Sequence, residues 1–286
     1  MEDKKESGIS EAEARATLTI DVDRIIASKS QRMSRLVPRF LVNYVKRTIH
    51  QDDINDFIVR KRNLRGIEYA DAIIEKFKAK VTYEGLDKIP AEGRYIFASN
   101  HPMGGLDGMA FISTVGSRFK DLKFPVNDML LFLKNFSDIF LPVNKVGTTG
   151  REAALKMEEA FGSDAQILMF PAGLCSRKID GRIVDLEWKK SFVAKAVEHR
   201  RDIVPVYITG RNSEFFYNLA KIRKTLGVKF NIEMLYLPDE MYKQEGKDVK
   251  VLFGDPISWQ SLVGKNPRQE AMNIKEKVYK MGEETK

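Results

Sequence analysis

Cysteine is almost missing from this chain of 286 residues. Cys175 stands alone, which excludes an intrachain disulfide and a cysteine-rich zinc or iron–sulfur site. Histidine is scarce as well, so imidazole chemistry has three candidates: His50, His101 and His199. Asp and Glu clusters at metal-ligand spacing are absent, and no metal is expected. Long hydrophobic runs are missing too. The most apolar stretch, Phe124 to Val143, is broken by Pro125, Asn127, Asp128, Lys134, Asn135 and Asp138, so it does not cross a bilayer. The first twenty residues are polar and lack the apolar core of a signal peptide, and folding in the cytoplasm is the expectation.

What is present is the composition of a folded chain, 43% hydrophobic and 31% charged. Lys and Arg number 48 against 40 Asp and Glu, a formal charge of +8 that suits an anionic partner: nucleic acid, anionic lipid or a phosphate-bearing cofactor. Nucleic acid has charge alone in its favour, because no helix-turn-helix, zinc or RNP signature accompanies it. Residues 1–79 read as a helical region. Val37, Phe40, Leu41, Tyr44 and Val45, after Leu36, recur at three- and four-residue spacing, opposite Arg35, Arg39, Asn43, Lys46 and Arg47. That apolar face either meets a membrane, with its cations on anionic head groups, or packs on the rest of the chain.

From residue 80 to 286 short β-rich runs alternate with helical ones. Strands are expected at Val81–Tyr83, Tyr95–Ala98, Leu122–Val126, Ile139–Val143, Gln166–Phe170, Ile203–Ile208, Lys229–Leu235 and Val249–Phe253. Helices are expected at Arg151–Phe161, Trp188–Arg200 and Ser213–Thr225. The class is α/β, a central mixed sheet flanked by helices, with an N-terminal helical extension.

The chemistry concentrates after the second of these strands, in Asn100-His101-Pro102-Met103-Gly104-Gly105-Leu106-Asp107-Gly108. A strand end is where α/β proteins expose reactive groups. The glycines let Asp107 fold back onto the His101 ring, which fixes the tautomer and makes the other nitrogen a base. The plainer alternative is a turn with a capping Asp and an incidental His. A second turn, Phe170-Pro171-Ala172-Gly173, is followed by Cys175, Arg177 and Lys178. It is either a seat for an oxyanion or phosphate, or an ordinary turn with a solvated basic pair. Cys175 reads as a small buried residue rather than a nucleophile, having no base near it in sequence. Ile203-Val204-Pro205-Val206, taken alone, reads as a buried strand.

Taken in order, Asn-His-Pro…Asp, Phe-Pro-Ala-Gly and Ile-Val-Pro-Val resemble the glycerolipid acyltransferase family typified by bacterial lysophosphatidate acyltransferases, over Val81 to Ile257. The resemblance implies His101 as general base and Asp107 as its orienting partner. It implies acceptor binding by Phe170, Pro171 and Gly173, with Pro205 marking a supporting strand. Asn100, Gly104, Gly105, Arg177, Lys178 and Lys145 complete the expected substrate contacts. Backbone N–H groups of Gly173 or of Gly104 and Gly105 are expected to hold the oxyanion. Two departures stand out: five residues rather than four separate His101 from Asp107, and Ala172 replaces the usual Glu. The longer spacing resembles a branch that includes O-acyltransferases of amino-acid lipids, such as ornithine and glycine lipids. Such acceptors need no glycerol-phosphate site.

The implied reaction is acyl transfer from an acyl-carrier protein or coenzyme A thioester to a lysolipid hydroxyl, with no bound cofactor. The implied place is the cytoplasmic face of the inner membrane, bound peripherally to an anionic surface. Two other readings remain beside it: a membrane-binding module without catalysis, and a lipid or thioester hydrolase using the same His–Asp pair.

Overall fold

The computed structural model describes residues 9–29, 37–143, 148–228 and 230–284. Among the described residues the chain opens with helices α1 (Glu11–Thr17), α2 (Val22–Lys29), α3 (Arg39–Thr48), α4 (Gln51–Arg60) and α5 (Gly66–Lys76). Strand β1 (Lys80–Glu84) and strand β2 (Tyr95–Ser99) follow, then helix α6 (Leu106–Gly116), β3 (Leu122–Val126) and β4 (Phe140–Pro142). Next come α7 (Thr148–Gly162), β5 (Gln166–Met169), a hairpin of β6 (Arg177–Ile179) and β7 (Arg182–Val184), and α8 (Ser191–Glu198). The chain finishes with β8 (Asp202–Ile208), α9 (Glu214–Thr225), α10 (Leu237–Tyr242), β9 (Asp248–Phe253) and α11 (Pro267–Glu283).

Seven strands form one sheet in the order β1-β9-β8-β2-β5-β3-β4, parallel throughout except where β8 meets β9. The two-residue period of β2 explains the layering. Tyr95 and Phe97 enter the apolar cluster that holds Ala110 and Phe111 of α6 and Tyr69, Ala70 and Ala72 of α5. Ile96 and Ala98 point the other way, into a cluster with Phe192 and Val193 of α8 and Ile274 and Val278 of α11. Central β2 is therefore buried on both faces, the expected condition of a strand in a parallel sheet. Helix α5 reaches this core closely: Gly116 of α6 leaves room for Ile67, whose side chain would lie 2.7 Å from any Cβ there.

Two elements depart from the sequence expectation. The expected strand at Lys229–Leu235 is not one over its described part: Ile232–Tyr236 is a 3-10 turn running into α10. Ile232 and Met234 alternate as a strand would, but Glu233 between them is the buried residue, held by Arg177 and Arg223, and Pro238 opens a helix. The β6–β7 hairpin was not anticipated. Its turn, Asp180-Gly181, has both residues at positive φ, 48° and 79°, the requirement of a two-residue hairpin loop.

Candidate active site

The site forms where β2 ends. Asn100 is 2% exposed and closes the gap to β8, donating its amide to Ile208 O (2.9 Å) and accepting from Ile208 N (2.7 Å). It ties two strand ends together and is out of a substrate's reach, contrary to the expected contact.

His101 comes next, and its Nδ1 lies 2.9 Å from Asp107 Oδ2. Asp107 is fully buried in the first turn of α6, where the helix dipole favours a carboxylate. The same Oδ2 accepts N–H groups from Met103 (2.8 Å) and Gly104 (3.1 Å), and Oδ1 accepts those of Gly105 (2.9 Å) and Gly108 (3.0 Å). This turn needs Gly104 at φ 83°, a left-handed conformation that side chains resist. Burial pushes the Asp107 carboxyl up, but the His101 charge, its hydrogen bond and the backbone N–H groups outweigh that and hold it below the ordinary carboxylate range. An ionised carboxylate only accepts, so in the neutral ring Nδ1 carries the proton and Nε2 keeps the lone pair. The extra residue between His101 and Asp107 thus completes a backbone cradle without breaking the pair. The N–H groups of Gly104 and Gly105 are committed to Asp107, which corrects their expected role at the oxyanion.

The Phe170 ring stacks on the imidazole at 3.8 Å between centroids and 14° between planes. It leans in turn on Phe111 and Phe124 of the core. Phe170-Pro171-Ala172-Gly173 is a closed turn, with Gly173 N donating to Phe170 O at 3.0 Å and φ 70° at Gly173. That N–H is therefore engaged as well. Pro171 is buried, its carbonyl accepting from Lys189 N (3.0 Å), and the Ala172 methyl lies in the apolar cluster with Ala98 and Trp188. No carboxylate has a place there.

The cations expected beside this turn lie elsewhere. Arg177 is buried, donating to Cys175 O (2.6 Å) and to Glu233 Oε1 (2.9 Å), so it braces the 3-10 turn rather than a substrate. Lys178 pairs with Glu214 at 2.7 Å. Lys145 lies outside the described residues. Cys175 is buried as expected, and burial pushes its thiol up to about 11, which removes it as a nucleophile.

Two residues that sequence reasoning missed hold His101 from behind. Asp185 Oδ1 accepts the His101 N–H (3.2 Å) and the Ser176 hydroxyl (2.6 Å), while Ser176 N donates to His101 O (2.7 Å). Trp188 Nε1 donates to the other Asp185 oxygen at 2.9 Å. The Asp180-Gly181 pair was the available signal, since the hairpin it makes returns Asp185 to Ser176. Among the described residues one cluster brings metal-ligating atoms together, Glu158, Glu198 and His199, but the Lys195 ammonium already pairs with both carboxylates.

A part-buried His paired with a buried Asp at a strand end, next to a Phe-Pro turn, can activate a hydroxyl. Residues 24–284 match the family described as Acyltransferase, and the chain belongs to that family. It is similar to the lyso-glycine lipid O-acyltransferase of Bacteroides thetaiotaomicron, 45% identical over 264 residues, 92% of this chain and 97% of that protein. The protein of the same description from Phocaeicola vulgatus is 44% identical over 264 residues, 92% of this chain and 95% of that one. Among solved structures, the 1-acyl-sn-glycerophosphate acyltransferase of Thermotoga maritima is similar with a TM-score of 0.44 and 17% identity, covering 85% of this chain and 92% of that one.

Proposed function

We propose that this acyltransferase moves a fatty acyl group from a thioester to the hydroxyl of a lysolipid with an amino-acid head, and that His101 is the base. The carrying observation is the 2.9 Å His101–Asp107 contact inside a cradle of four backbone N–H groups. Nε2 removes the hydroxyl proton as the oxygen attacks the thioester carbonyl. The C–S bond then breaks, and the proton passes from the imidazolium to the departing thiolate. Asp107 holds the positive ring throughout, and Phe170 keeps it from turning. The thioester is already activated, so the chain need supply no covalent nucleophile. The names of the two bacterial relatives support a lyso-glycine lipid as acceptor. An acyl-carrier protein or coenzyme A is the donor of this reading.

The reading also places the enzyme peripherally on an anionic membrane, at the cytoplasmic face of the inner membrane. No helix of the described residues is long and apolar enough to cross a bilayer. On α3, Phe40 is 69% exposed and Leu41 and Tyr44 are exposed beside it, whereas Val42 is buried. The Tyr44 hydroxyl meets that of Tyr236, whose ring packs on exposed Phe215, extending the apolar surface to α9. Arg39 and Lys46 pair with Asp23, so the apolar residues rather than these two cations carry the contact; Arg35 and Leu36 lie outside the described residues.

Product analysis by mass spectrometry tests both parts. Purified protein receives an acyl-carrier thioester and anionic vesicles containing hydroxyacyl amino-acid lipids and lysophosphatidate. An O-acylated product is expected, falling on the order of a hundred- to ten-thousandfold in His101→Ala. Free fatty acid without O-acylated lipid would mean hydrolysis and would refute the reading. A Phe40→Ser, Leu41→Ser pair should reduce co-sedimentation with the vesicles, and unchanged binding would assign that face another role.

A further inference from the structure

We propose that Lys189 binds the free carboxylate of the acceptor's amino-acid head and thereby sets acceptor specificity. The inference rests on the reading above and deepens it. The Lys189 Nζ lies against the backbone of Gly173, 2.9 Å from the place a Cβ would take there. Any side chain at Gly173 would displace the ammonium. Its backbone is fixed at the same turn, where Lys189 N donates to Pro171 O.

The opposite end of that turn is Phe170, stacked on His101. A turn closed by an i to i+3 hydrogen bond brings its end Cα atoms within about 7 Å. The ammonium and the base therefore flank one four-residue turn. An acceptor whose carboxylate and reacting hydroxyl are a few bonds apart can span it.

The charge inventory narrows the ligand. Arg177 belongs to Glu233 and Lys178 to Glu214, whereas the Lys189 ammonium has no ion-pair or hydrogen-bond partner among the described residues. The Gly173 N–H, which would help a phosphate, is taken by Phe170 O. An exposed ammonium without an arginine fork suits a monoanionic carboxylate better than a phosphate. Glycine acylated on its nitrogen presents that group. The buried Ala172 adds no opposing negative charge.

The experiment compares N-(3-hydroxypalmitoyl)glycine with its methyl ester as acceptors, at saturating thioester, in Lys189→Met, Lys189→Arg and Lys178→Met. The native protein should prefer the acid about ten- to a hundredfold in kcat/KM, mostly through KM. Lys189→Met should lose that preference, Lys189→Arg should keep most of it, and Lys178→Met should keep all of it. Equal losses on acid and ester would assign Lys189 to the oxyanion or to the fold and overturn the proposal. A change confined to the KM of the thioester would move the contact to the donor, with the same consequence. If the native protein acylates both acceptors equally, this proposal fails and the proposed reaction stands. If it acylates neither, both fail.

Discussion

Two histidines of this chain sit in nearly the same local geometry. His101 is 2.9 Å from Asp107 and stacked at 3.8 Å on Phe170; His50 is 3.0 Å from Asp239 and stacked at 3.8 Å on Tyr242. The carboxylates are where they differ. Asp107 is fully buried and bound by four backbone N–H groups, with the imidazole as its paired charge. Asp239 is partly exposed and already paired with Lys243 at 2.8 Å. The ring nitrogen differs too. His101 uses Nδ1 and leaves the outer Nε2 free, whereas His50 uses Nε2 and leaves the nitrogen next to its own backbone. Contact distance alone does not make a base. What sets His101 apart is its placement at a strand end and a buried carboxylate held rigid by four backbone N–H groups.

Replacing the two carboxylates should separate the pairs most strongly. Asp107→Asn puts an NH2 group against backbone donors and removes the charge that stabilises the imidazolium. We expect kcat to fall about a hundredfold or more, and stability to fall by about 1–3 kcal/mol. Asp239→Asn should leave kcat within about a factor of three, since that carboxylate is taken up by His50 and Lys243. The pH dependence sharpens the contrast. Asp107 titrates below its ordinary 3.8 in the folded protein, so it adds stability above that value and loses it as pH falls through the lower folded one. Asp107→Asn should therefore flatten the acid limb of a Tm-against-pH curve. An unchanged acid limb, or equal rate losses in the two variants, would break the distinction.

The stacked rings give a smaller effect. Phe170→Leu frees the imidazole to turn and should lower kcat by about tenfold, while KM for the thioester moves little. Tyr242→Leu should lower Tm by a few degrees and spare kcat, because its ring steadies α10 against α3 and α4 through His50 and Asp53. Equal kcat losses would mean that the two stacks do the same work.

How far the sequence revealed this site follows from the range over which each feature is encoded. His101, the glycines and Asp107 are neighbours, so the His101–Asp107 contact was legible from spacing and glycine alone. The central strands β2, β5 and β8 were legible because strands buried on both faces stay apolar along their length. Glu233 defeats that rule, since a buried charge paired from β6 and α9 reads in sequence as a solvent-facing residue. Asp185 and Lys189 come back beside Ser176 and Gly173 only after the hairpin at Asp180-Gly181, and the contacts of Asp185 and Ser176 with His101 span 84 and 75 positions in sequence. The roles of Gly104 and Gly105 were misjudged for a related reason. An N–H group free in sequence is often claimed by the nearest carboxylate once the turn closes.

The smallest expected effect is at His50 itself. Its ring joins α4 to α10 through Asp239, but Lys243 offers the same carboxylate a second partner, and both groups are partly exposed. Partly exposed ion pairs contribute little, so His50→Gln should cost about 1 kcal/mol, a shift of roughly 2–4 °C in Tm, with kcat unchanged within about twofold. Glutamine retains a donor for Asp239 but stacks poorly on Tyr242, so the loss measures the stacking more than the charge. A loss of kcat in this variant comparable to that of His101→Ala, without loss of fold, would show that the buried cradle is not what distinguishes the base.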